Sequence, residues 1–186
     1  MCSSDLRSES ADAQRLDVQA FTTPTGMPVL LVERADGVVS FDLFVRTGSA
    51  QDPPDRNGLA YVAAQLLLYG VGDWRSFDDR LADLGARLEV EVEETTIVLH
   101  GEVLAADAVA LLELVGQTLQ TPPSDEELVA KVVRDAQARA RLDREDDREL
   151  GYLALRRWAF DGHPLAQSPR GRVGSLAHIT GDDVAR

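Results

Sequence analysis

Strict alternation over Arg87–Val92 sets Leu88, Val90 and Val92 on one side and Glu89, Glu91 and the following Glu93 on the other. That is the period of a strand with one face on a core and one in water. Val38–Thr47 repeats it less cleanly, with Val39, Phe41, Leu43 and Val45 against Ser40, Asp42, Phe44 and Arg46. Thr95–Val103 reads as the partner strand of Arg87–Val92. Val18–Thr23 and Pro28–Glu33 predict two short strands about the turn signal Pro24-Thr25-Gly26. Between these groups the period becomes helical. Asn57 or Gly58 opens an apolar helix to about Tyr69, interrupted by Gln65, and Ser76 is the expected N-cap of Phe77–Leu84, which Gly85 ends. Ala105–Leu119 gathers Val109, Leu112, Val115 and Leu119 on one side, and Pro122-Pro123 breaks it. Ser124 and Glu127 form the pattern of a capping box for a long polar helix to about Arg144. Leu150–Phe160 is a further amphipathic helix closed by Gly162-His163-Pro164, and another helix opens at Gly181-Asp182-Asp183-Val184. Strands in hairpin-like groups with helices between them predict an α+β fold: an antiparallel β-sheet covered on one face by helices.

Composition narrows the function classes. Apolar residues make up 44% of 186 residues, enough for one sizeable domain, and aromatics only 5%. A net charge of -13 argues against nucleic acid, which needs clustered Lys and Arg, and against attraction to anionic membranes. Cys2 is the single cysteine, so an internal disulfide and a cysteine-based zinc cluster are excluded. No apolar run reaches the length of a membrane span, and no signal peptide is visible. Met1–Leu6 resembles a translated sequencing adapter, and residues 7–16 are polar. Residues 1–15 are therefore expected to be artificial or flexible, ahead of a domain over 16–186.

Candidate chemistry is sparse. His100 lies in a strand and is expected to be a solvated or satisfied strand residue. His163 is expected to cap the helix Leu150–Phe160, and His178 lies near the end of the sequence. None has a His, Cys or Asp partner at ligand spacing. Glu89, Glu91, Glu93 and Glu94 read as a solvated strand face rather than a cation site. Arg134, Arg139, Arg141, Arg144 and Arg148, interleaved with acids, read as an exposed face with i,i+4 pairs.

The segment Gly58-Leu59-Ala60, then Tyr61 to Gln65, then Leu66-Leu67-Leu68-Tyr69-Gly70, resembles the zinc helix of the insulinase-like (M16) metallopeptidases. Thr23–Leu31, Val45-Arg46-Thr47-Gly48-Ser49, Leu81–Ala86, Asp161–Pro164 and Gly174–Thr180 resemble, in order, other landmarks of that family's N-terminal domain. A core helix of an unrelated α+β domain would explain the Leu-rich face equally well, but not this ordered series. The resemblance implies His-x-x-Glu-His where this chain has Tyr61, Val62, Ala63, Ala64 and Gln65. In such a motif the two His grip zinc from one helix face and the Glu takes a proton from the metal-bound water. Tyr61 and Gln65 stand at the ligand positions and Ala64 at that of the base. A third ligand, a Glu, is expected near Arg139 or Ala140, counted back from His163.

The resemblance therefore implies a catalytically inactive M16-like domain, the first half of a longer protein, with no catalytic residue and no metal of its own. Zinc is expected in a partner, an active M16 subunit in a heterodimer, with peptides enclosed between them. The strand edge at Glu89, Val90 and Glu91 is expected to be where a peptide could add as an extra strand. A periplasmic or otherwise exported location is implied by resemblance alone, with the cytoplasm as alternative. Two other readings stay open at this point: an active zinc peptidase with shifted ligands, and a core-type scaffold subunit.

Overall fold

Antiparallel pairing follows the alternation closely. The computed structural model describes residues 17–35, 37–70 and 77–185. The expectations for Met1–Leu6, residues 7–16 and the Ser76 cap lie outside them. The chain divides after Gly37 into two units. The first holds a hairpin of β1 (Val18–Thr22) and β2 (Pro28–Val32), with Val18 opposite Val32 and Thr22 opposite Pro28. Its turn is closed by Thr23 N–H on Met27 O at 2.8 Å and Gly26 N–H on Thr23 O at 2.9 Å.

The second unit runs β3 (Val38–Val45), α1 (Leu59–Leu67), α2 (Phe77–Asp83), β4 (Arg87–Val92), β5 (Ile97–Leu104), α3 (Ala108–Gln120), α4 (Glu126–Leu142), α5 (Asp147–Ala159), α6 (Val173–Leu176) and α7 (Gly181–Val184). Its sheet has the order β3-β5-β4, antiparallel throughout, with the most apolar strand, β5, in the centre. Val39, Phe41 and Leu43 of β3, Leu88 and Val90 of β4, and Leu99 and Val103 of β5 share one face. They pack against Leu81 of α2, the following Leu84, and Leu111 and Val115 of α3. The opposite face carries Asp42, Phe44, Glu89, Glu91 and His100. There His100 Nδ1 meets Asp42 Oδ1 at 2.7 Å, the satisfied strand histidine expected. A second core joins Val62 and Leu66 of α1 to Leu128, Val129, Val132, Val133, Ala136 and Ala140 of α4, and to Leu176 of α6. The fold is α+β, with antiparallel sheets and helices on one face of the larger one.

Several local expectations need correction. The buried face of α3 is Leu111, Leu114, Val115 and Thr118, while Val109 and Leu112 are 68% and 49% exposed. This helix is apolar on most of its circumference, so period alone could not choose the stripe. Ser124 does not cap α4; the Asp125 carboxylate accepts from Leu128 N–H at 3.0 Å. Asp and Ser are near-equal caps, and the register set by the preceding prolines decides between neighbours. His163 does not cap α5. Its Nδ1 accepts from Leu165 N–H at 3.2 Å and opens a single 3₁₀ turn, Pro164–Ala166.

The start of α1 is held from a distance. Asp52, six residues before Gly58, accepts from Gly58 N–H at 2.7 Å and from Ala60 N–H at 2.8 Å. It satisfies donors that a helix end leaves orphaned, and places negative charge at the positive pole of the helix. The last long helix, α5, is pinned by Arg156. This buried guanidinium donates to Glu94 beside the β4–β5 turn and to Leu165 O at 2.6 Å.

Two outcomes test this architecture. Phe41 lies opposite Gly101, and a Cβ at that glycine would sit 2.2 Å from the Phe41 ring. Gly101→Ala should destabilise the domain by about 1–3 kcal/mol, the usual cost of overpacking, read as a lower urea midpoint. An unchanged midpoint would contradict the packing. Burial, outweighing the bonds from Ala60 and Gly58, holds the Asp52 carboxyl above its ordinary pKa. Ionisation is then easier in the unfolded chain, so the stability Asp52 contributes is complete below the ordinary carboxylate pKa. It is lost as pH rises through the raised value. The stability of the unsubstituted chain relative to Asp52→Asn should therefore fall across that window, in urea titrations from about pH 3 to 6. A relative rise would show that the cap bonds dominate instead.

Candidate functional site: a cleft between α1, β4 and α4

Tyr61 and Gln65 are one helical turn apart and so share a face of α1. That face looks onto a cleft of about 330 Å³. One wall is α4, through Val132, Asp135, Ala136 and Arg139; another is the end of β4, through Val90, Glu91 and Val92. Tyr69, just past α1, and Arg170, in the loop before α6, complete the lining. The two positions counted back from His163 now separate. Ala140 is buried in the core with α1 and α6, whereas Arg139 faces the cleft. The structure thus brings together Tyr61, Gln65, Arg139 and Val90, with Glu91 bordering the cleft along the strand edge while its carboxylate lies on the His100 face. It leaves out Ala64, buried at 1% exposure and not part of the lining, and Glu89, exposed opposite His100 on the far face of the sheet.

β4 pairs with β5 alone, so its other edge carries no strand among the described residues. That edge borders the cleft at Val90–Val92. Its unpaired backbone groups are the kind a peptide strand can bond, and its glutamates discourage uncontrolled edge pairing.

The charges around the cleft are arranged in pairs. Lys131 Nζ donates to Asp135 Oδ2 at 2.9 Å and to the Tyr69 hydroxyl at 2.8 Å, and lies 5.0 Å from that ring's centre. The bond to Asp135, then that to Tyr69, raises the ammonium above its ordinary pKa and keeps it charged. Asp143 serves two arginines, with Arg170 Nη1 at 3.2 Å and Arg139 Nε at 3.6 Å. The second distance is an ion pair without a hydrogen bond. No hydrogen bond within the described residues uses the Tyr61 hydroxyl or the Gln65 amide.

The donors here do not fit zinc. The ion takes imidazole, thiolate or carboxylate; Tyr61, Gln65, Arg139 and Arg170 bring a phenol, a carboxamide and two guanidinium groups, while the Asp135 carboxylate is bonded to Lys131 and that of Glu91 lies beside His100. Guanidinium has no lone pair to give and repels a cation. Among the described residues no group of three His, Cys, Asp or Glu could hold a metal ion, so the shifted-ligand alternative has no donor set there. None of the histidines lines this cleft: His100 bonds Asp42 on the far face of the sheet, His163 opens the 3₁₀ turn, and His178 Nδ1 lies 3.3 Å from Asp55 O. Among the described residues, no helix is long and apolar enough to cross a membrane.

Sequence reasoning missed Asp52, Tyr69, Asp135 and Arg170. Asp52 precedes Pro53-Pro54, a turn signal that could have drawn attention to it. Arg170 sits in a loop more than a hundred residues from α1, and no local pattern announces its return to the cleft.

Comparison with known proteins places this geometry. The family model for insulinase (peptidase family M16) matches residues 29–170. The peptidase M16 inactive domain from Pseudomonas fluorescens superposes with a TM-score of 0.83 at 22% identity, over 91% of this chain and 42% of that one. A protease from Helicobacter pylori gives a TM-score of 0.83 at 17% identity, with the same coverage of 91% and 42%. At these identities the likeness speaks to the fold, and this chain spans less than half the length of either. No curated protein matches the chain. With the matched segment running from β2 through α1 and the cleft to the loop before α6, the chain belongs to the insulinase family of M16 peptidases.

Proposed function

We propose that this chain is a catalytically silent M16 domain that encloses peptides beside an active, zinc-bearing M16 subunit. One observation carries the reading: Tyr61, Gln65 and Arg139 line the cleft at which the family's ligands are expected, and none is a zinc ligand in ordinary protein chemistry. Ala64 offers nothing that could accept a proton, so the base is missing along with the metal. A domain with this fold and without these groups still has walls, a cleft and an open strand edge. The inactive M16 domain from Pseudomonas fluorescens, similar in fold, supports a role of this kind. The edge at Glu89, Val90 and Glu91 would hold a peptide by its backbone, and the exposed glutamates would favour basic sequences.

Metal analysis tests the proposal. The purified chain, dialysed against zinc and then buffer, should retain far less than one zinc ion. The triple variant Tyr61→His, Gln65→His, Arg139→Glu should retain about one, since it supplies the usual two imidazoles and a carboxylate. Stoichiometric zinc on the unsubstituted chain, or peptide hydrolysis by it that chelator abolishes, would end the proposal. A folded triple variant that takes up no zinc would show that the three positions are not the family's ligand positions.

A further inference from the structure

We propose that the cleft binds a peptide carboxylate where the family's metal ion would sit, an inference that rests on the silent-domain reading and adds a ligand to it. Four side chains from three separate parts of the chain line one space: Tyr61 and Gln65 from α1, Arg139 from α4 and Arg170 from the loop before α6. All four are hydrogen-bond donors, and arginine has no acceptor to offer. Their donors are underused. The Tyr61 hydroxyl and Gln65 amide make no hydrogen bond within the described residues. Arg139 has only the 3.6 Å ion pair through Nε, and Arg170 engages Asp143 through Nη1.

The charges around the cleft are divided by side. Asp143 balances one of its two arginines and leaves one positive charge over. Asp135, the acid on the α4 wall, is already taken by Lys131. Glu91 lies across the cleft on β4, with its side chain 67% exposed and its Oε2 3.9 Å from His100 Nε2. The α4 and Arg170 side is thus donor-rich and cationic. The complementary group is a planar anion with two acceptors, which an arginine fork holds in bidentate fashion. Because the cleft opens along Val90–Val92, the anion most simply reaches it on a peptide bonded to the β4 edge. Two sources carry that chemistry, a free C-terminus and an Asp or Glu side chain.

Fluorescence anisotropy on the folded chain decides the matter, with three labelled peptides of alternating Thr, Val and Lys. One ends in a free carboxylate, one in an amide, and one in an amide with Glu before it. At least one carboxylate-bearing peptide should bind about tenfold more tightly than the neutral amide, roughly the value of one charge-assisted contact. Which of the two gains identifies the source. The double variant Arg139→Gln, Arg170→Gln should bring that peptide down to the affinity of the neutral amide measured on the same variant. Equal affinity for all three peptides, or no binding of any, would overturn the carboxylate site. Zinc content measured on the same sample separates the failure of this site from the failure of the silent-domain reading. A metal-free chain without carboxylate preference is still a silent domain, whereas a zinc-loaded chain is not.

Discussion

Two backbones meet with no room for a side chain where α1 begins. Gly58 has φ of 101°, and a Cβ on it would lie 2.8 Å from Gly171 Cα. Gly171 has φ of 80°, and a Cβ there would lie 2.6 Å from Asn57 O. Both dihedrals are in the left-handed region that glycine alone enters cheaply, so the contact specifies both residues twice over. Asn57, almost wholly buried, stitches the same joint: its Nδ2 donates to Ser168 O at 3.1 Å, and its carbonyl accepts from Ser175 Oγ at 2.7 Å. This joint fastens the loop before α6 to the start of α1. It is what delivers Arg170 to a cleft whose other walls come from α1, β4 and α4. With Asp52 capping the same helix end, the start of α1 is fixed by residues outside the cleft lining.

Scaffold and proposed site are divided between two faces of α1. Val62 and Leu66, on the core side of α1, pack on α4, while Tyr61 and Gln65 face the cleft. Exchanging Gln65 alters donors in the cleft while Val62 and Leu66 keep the core contact; Tyr61 also packs on the margin of that core. A metal site needs lone pairs to give; here Arg139 and Arg170 have none, Asp135 is bonded to Lys131, and Asp143 is shared by the two arginines. The domain has a shaped, polar cleft beside a strand edge that pairs with no other strand among the described residues, which is what the proposed peptide-holding role requires.

Most of the fold was legible because its elements follow simple periods. The alternation of Leu88, Val90 and Val92 against Glu89 and Glu91 gave the bounds of β4 directly, and Pro122-Pro123 marked the break before α4. Failures came where period carries little information. On α3 the apolar residues surround the helix, so the true stripe through Leu111 and Leu114 depends on what packs there. Caps were misplaced by one residue at Asp125 and by one helix at His163, since several short polar side chains compete for each end. At the cleft, the pair Tyr61 and Gln65 was legible from i,i+4 spacing, and Arg139 from its separation from Gly162-His163-Pro164. Arg170 and Tyr69 were not, because their places depend on tertiary contacts such as the Gly58–Gly171 approach. Ala64 was singled out by its place in the motif, yet its methyl group is buried away from the lining.

The proposed silence of the domain rests on Tyr61, Gln65 and Arg139 holding no divalent ion among them. Crystals of this chain grown with excess zinc and measured at the zinc absorption edge address it most directly. No anomalous peak is expected in the cleft, with any bound zinc elsewhere on the acidic surface. A strong peak about 2 Å from side-chain atoms of those residues, the distance of a true zinc bond, would contradict it.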